Sequence, residues 1–112
     1  MYAMIGVLIR PPGMDRATFR SWWLDEHAHQ AKELPGLRRY QIFPAKHGFD
    51  SLTGDFTDQP SHEGVAFLWF DDEAACRRAF GSAIGHKDRE HFNESPMKAI
   101  VFCSAEQIEI PL

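Results

Sequence analysis

Only two cysteines, Cys76 and Cys103, occur in 112 residues, at neither the CxxC spacing of a redox or zinc motif nor the density of a disulfide scaffold. Both are expected to be reduced core fillers, one in a helix and one in a strand. Basic runs are also missing. The longest are the pairs Arg38-Arg39 and Arg77-Arg78, and the net charge of −4 leaves no electrostatic footprint for nucleic acid or an anionic membrane surface. The longest apolar runs, Met4 to Ile9 and Val65 to Phe70, fall far below the roughly 20 residues of a membrane-spanning helix. The first residues lack the basic, apolar and cleavage regions of a signal peptide, so a cytoplasmic location is the expectation. GxGxxG, P-loop, GxSxG and HExxH motifs are absent, which removes support for nucleotide-binding, serine-hydrolase and zincin chemistry. His86 and His91 are five positions apart rather than the four that align ligands on a helix, and Asp88 with Glu90 reads as a solvated charged turn. No metal is expected.

What remains is an ordinary globular composition, 44% apolar and 25% charged with nine Phe and three Trp, in one stretch long enough for a single domain spanning 1–112. Tyr2 to Ile9 is apolar at almost every position and stops before Pro11-Pro12-Gly13, the pattern of a strand closed by a turn. Asp15 is a plausible N-cap for a first helix in which Phe19, Trp22, Trp23, Ala31 and Leu34 recur at helical spacing until Pro35-Gly36. Leu37 to Pro44 and Val65 to Phe70 read as strands two and three, and Asp71 or Asp72 caps a second helix with Ala75, Cys76, Ala79, Phe80 and Ala83 on one stripe. Gly85 to Glu94 is polar, with room for a short irregular helix. Lys98 to Ser104 gives strand four, and weak alternation over Gln107 to Ile110 suggests a short extra edge strand.

This order is β-α-β-β-α-β: an α+β, ferredoxin-like domain with a four-stranded antiparallel sheet and two helices on one face. An antiparallel sheet with one wet face alternates apolar and polar residues. Here strands one and three are apolar on both sides, with Ile5, Val7, Phe67 and Trp69 opposed to Met4, Leu8, Ala66 and Leu68. Two helices cover only one face, so the economical cover for the other is a second copy of the sheet, a two-fold homodimer. The loop 45–62 is too long for a tight hairpin turn. Its Phe49 and Phe56 favour a loop that packs onto something, though a mobile linker fits equally well, and His47 and His62 flank it as candidate gates.

At 100° per residue, Phe19, Trp23 and His27 step along one face of helix one, whereas His29 falls off it. An inward imidazole must find a partner or a ligand, because leaving it unsatisfied costs about 1–3 kcal/mol. Burial would lower its pKa and keep it neutral, the state a general base needs. Spacing alone favours a core histidine bonded to a backbone carbonyl.

Laid end to end, the sequence resembles the EthD family of the dimeric α/β-barrel superfamily. The resemblance is carried by Arg10-Pro-Pro-Gly13-Met-Asp, by Phe19-Arg-Ser-Trp-Trp23-Leu-Asp-Glu-His27-Ala, by Leu34-Pro-Gly-Leu-Arg-Arg-Tyr40 and by Gly64-Val-Ala-Phe-Leu-Trp-Phe70-Asp. It departs where the family usually reads His-Ala-Pro and this chain reads His27-Ala28-His29, so helix one is expected to run smoothly to about Glu33. The methylmuconolactone methylisomerases are more distantly similar, with a histidine at the place of His27 and a tyrosine at that of Tyr40, but their strand-three cysteine has no counterpart here. The resemblance implies a ferredoxin-like fold paired as a dimeric α/β barrel. It also implies a small-molecule enzyme without cofactor, of isomerase, cyclase or lyase type, acting on a small hydrophobic cyclic or aromatic catabolite. His27 would be the acid or base and Tyr40 the hydrogen-bond donor to a carbonyl oxygen. Trp22, Trp23, Phe67, Trp69 and Phe70 would line an apolar pocket, and Arg10 would take a substrate carboxylate. Against these stand plain core or surface roles for each residue. Two other functions stay open: a non-catalytic ligand-binding or accessory protein of an oxygenase system, and an oxygenase acting on a quinol or on haem ligated by His27.

Overall fold

A computed structural model describes residues 1–112. Strand β1 (Tyr2–Ile9) leads to helix α1 (Arg16–Ser21), whose N-cap Asp15 accepts a hydrogen bond from the Thr18 N–H at 2.7 Å. The helix then widens into a π-helical segment, Trp22–His27, in which the Ala28 N–H reaches back five residues to the Trp23 carbonyl, and ends as α2 (Ala28–Ala31). Helix one therefore does not run smoothly toward Glu33 as the missing proline suggested. It changes pitch under the histidine and stops at Ala31.

Strand β2 (Arg39–Pro44) is followed by a small hairpin of β3 (Gly48–Phe49) and β4 (Phe56–Thr57), then by β5 (Gly64–Phe70), α3 (Glu73–Gly81), α4 (Ala83–Glu94) and β6 (Lys98–Ser104). The main sheet has the order β2-β5-β1-β6, antiparallel throughout. This is the ferredoxin-like fold expected from the element order. The loop 45–62 packs chiefly on itself, with Phe49 and Phe56 ring to ring at 5.0 Å. The stretch Gln107–Ile110 forms no strand: alternation needs a ladder partner, and Ile108 and Ile110 stay exposed.

One face of the sheet meets the helices. At one end Leu8 and Ala66 pack with Phe19, Trp23 and Met97, and at the other Phe70 packs with Cys76 and Ala79. Helix α4 sits close because Ser82 ends α3 and caps α4, its hydroxyl accepting from the Gly85 N–H at 3.1 Å. A Cβ at Gly85 would collide with the Ala79 carbonyl oxygen, so the tight α3–α4 corner requires glycine. Gly64 is similarly constrained at the start of β5, with φ of +143° and a Cβ position blocked by the Phe43 carbonyl oxygen. No helix is long and apolar enough to cross a membrane.

Candidate active site

The helix-facing side of the sheet carries small residues at positions that share a register. Gly6 lies opposite Ala66 on one side and Val101 on the other, and Leu8 lies opposite Ala99. A Cβ at Gly6 would find only ordinary contacts at 3.9 Å, so this floor is low by composition rather than crowded. Above it the helices do not close down, and a cavity of about 600 Å³ opens between sheet and helices, within the size range of small-molecule sites. Met4, Leu8, Leu68 and Tyr40 form the floor, Trp23, His27 and Ala31 one wall, and Phe80, Asp88 and Phe92 the other.

His27 and Tyr40 thus line one space, although a turn and a strand boundary separate them in the chain. The π-helical turn places His27 against Trp22, five residues earlier, with rings nearly parallel at 5.1 Å. His91 of α4 is nearly parallel to both rings, its centroid 5.6 Å from that of His27 and 6.0 Å from that of Trp22, with His27 Nδ1 to His91 Nδ1 at 3.5 Å, a long contact in which one nitrogen must donate and the other accept. Phe92 completes the enclosure edge-on at 5.4 Å. Burial first, and the neighbouring His91 second, lower the His27 pKa from its usual 6.5 to about 4. At neutral pH it is an uncharged imidazole. Tyr40 moves the other way. Burial, then the nearby Asp88 charge, hold its hydroxyl well above the usual tyrosine value, so it stays protonated and able to donate.

Trp23 is buried at the cavity wall, whereas Trp22 backs His27 and Phe70 belongs to the distant core cluster. Three proposed substrate contacts do not reach this cavity. Phe67 and Trp69 lie on the opposite face of the sheet, since they alternate with Ala66 and Leu68; Trp69 Nε1 donates to Gln41 Oε1 at 2.9 Å there. Arg10 is engaged elsewhere, donating to Glu63 Oε1 at 3.0 Å and to the Met14 carbonyl. Glu63 is buried and also meets Arg16 Nε at 3.4 Å, and Arg16 reaches the Ala45 and Asp58 carbonyls. This cluster ties the β4–β5 loop to the start of α1. His47 lies near Asp58 at 3.5 Å and His62 bonds Ser61, so neither gates the cavity.

Where the sequence suggests at most a short irregular helix over Gly85 to Glu94, α4 is a regular helix of 12 residues. Asp88, Arg89 and Phe92 face the cavity from α4, but only one of the three is apolar, so the segment reads as polar. Asp88 is buried and not the solvated turn residue expected. The available signal was the pairing of a glycine that permits close approach with an acid and a histidine at i, i+3.

A split βαβ sheet with a cavity beneath its helices defines the class, a ferredoxin-like α+β domain whose fold is shared with solved structures. The EthD domain model matches residues 11–96, and the chain belongs to the EthD family. Among solved structures, it is similar to an EthD family protein from Bacillus halodurans, at 19% identity and a TM-score of 0.71, over 96% of this chain and 99% of that one. It is also similar to SnoaB, a cofactor-independent oxygenase from Streptomyces nogalater, at 13% identity and a TM-score of 0.63, over 99% and 97% of the two chains. HapK from Hahella chejuensis shows the same fold at 16% identity and a TM-score of 0.60, over 100% and 97%. No curated protein is significantly similar in sequence.

Proposed function

We propose that this protein is a small-molecule enzyme without bound cofactor that moves a proton on a cyclic or aromatic substrate held beneath the helices. The observation that carries the reading is the placement of a neutral, half-buried His27 and a protonated Tyr40 on one largely apolar cavity. His27 takes a proton from a carbon or oxygen next to a ring carbonyl, and Tyr40 donates to that carbonyl as negative charge develops. The lowered His27 pKa keeps the imidazole unprotonated and ready to accept a proton, and makes its protonated form about 3 kcal/mol costlier than in water, a cost that the Tyr40 hydrogen bond to the developing negative charge would offset. In a panel of aromatic lactones and quinols, His27→Ala and Tyr40→Phe are expected to retain ligand binding while turnover falls by about 10²-fold or more. Unchanged turnover in His27→Ala would reject this mechanism.

A second reading is oxygenation of a quinol, favoured by the fold shared with SnoaB and by the same base, which would remove a hydroxyl proton to begin the reaction. Dioxygen consumption separates the two. Both readings are compatible with a homodimer formed through the outer sheet face, where Phe43, Ile100 and Phe102 are each more than half exposed beside Ile5, Val7 and Phe67.

A further inference from the structure

Two buried side-chain polar atoms find no hydrogen-bond partner, Trp23 Nε1 and Asp88 Oδ1, and both residues line the His27 cavity. Leaving a buried acceptor unpaired costs about 1–3 kcal/mol, more for a charged group, and folded chains remove such groups unless something else meets them. Asp88 is only 7% exposed, and α4 brings it in at the Gly85 corner on the side facing Tyr40. It has no basic side chain bound to it: Arg89, its neighbour, instead donates to His86 Nδ1 at 2.9 Å. A leucine would fill the same stripe without the penalty.

We propose that Asp88 is a substrate-contacting residue whose carboxyl accepts a hydrogen bond from a hydroxyl on the ring of a neutral phenol- or quinol-type substrate. This rests on the reading above that the cavity holds a cyclic substrate, and narrows it. Arg89, exposed and also on the cavity, is engaged with His86, so a carboxylate-bearing catabolite placed beside Asp88 would meet like charge, whereas a ring hydroxyl supplies the missing donor. With the hydroxyl on Asp88, the ring lies across the small-residue floor between Tyr40 and His27.

The test compares 1-naphthol with 1-methoxynaphthalene, which keeps the ring and oxygen but lacks the donor, by isothermal titration calorimetry on the full chain. The wild-type protein is expected to bind the naphthol at least about tenfold tighter, the scale of one hydrogen bond to a charged or buried acceptor. Asp88→Leu should bring that ratio close to one, and Asp88→Asn, which retains a carbonyl acceptor, should keep part of it. Asp88→Leu should also raise Tm, because a binding group held at a cost to the fold has been removed, whereas a merely structural acid would lower it. An unchanged ratio in Asp88→Leu, or a fall in Tm with the ratio intact, overturns the role of Asp88 while leaving a ligand cavity standing. Binding of neither compound to the wild-type protein overturns the cavity reading itself, and this inference with it.

Discussion

His27 carries a cost that the folded chain bears at low pH. Its pKa is about 4 in the folded state and near 6.5 when solvated, so between these values the unfolded chain binds a proton that the native one refuses. The stability associated with the neutral form is fully present above pH 6.5 and is lost as pH falls toward 4, a difference of about 3 kcal/mol. Denaturant unfolding of wild type and His27→Leu at pH 7 and pH 4 measures it. The wild type is expected to lose about 3 kcal/mol more than the variant over that interval, and parallel losses would mean that the imidazole is not buried uncharged. His91 contributes in the same direction but second to burial.

How much of this was legible differs from one element to the next. Strands β1 and β5 are continuous apolar runs between turn residues, and α1 has a capping aspartate at one end and a Pro-Gly stop beyond the other, so local chemistry specifies them. The inward direction of His27 was readable because Phe19, Trp23 and His27 keep their i, i+4 relation. The π-helical turn was not, since a change of hydrogen-bond reach from four residues to five leaves no mark in apolar periodicity. Helix α4 was hidden for a different reason. Periodicity reports faces buried against apolar core, and the inner face of α4 meets the cavity with Asp88, Arg89 and Phe92, a mixed set that leaves no apolar stripe. The aromatic pocket residues were assigned without a face: Phe67 and Trp69 are one position away from Ala66 and Leu68, and one position in a strand is the whole thickness of the sheet. Arg10 looked free because Glu63, its partner, lies 53 residues away.

The two-sided apolar sheet has a consequence for assembly. Phe102 and Ile100 on β6, with Phe43 on β2, leave an exposed apolar surface on the face away from the helices, the kind of patch that marks an interaction site. Sedimentation velocity at micromolar concentration is expected to give a dimer for the wild type and a shift to monomer, or to insoluble protein, for Phe102→Asp, which places a charge in the seam. A wild-type monomer would show that this face is not covered by a second copy.

A neutral histidine that meets a ligand between sheet and helices is the centre of the proposed chemistry. The most direct measurement is the pH titration of the imidazole nitrogens by NMR, with and without 1-naphthol. His27 is expected to titrate near pH 4 in the free protein, and its nitrogen shifts to move on ligand addition while those of the exposed His29 and His62 stay in place. Titration of His27 near 6.5, with shifts indifferent to the ligand, would contradict it.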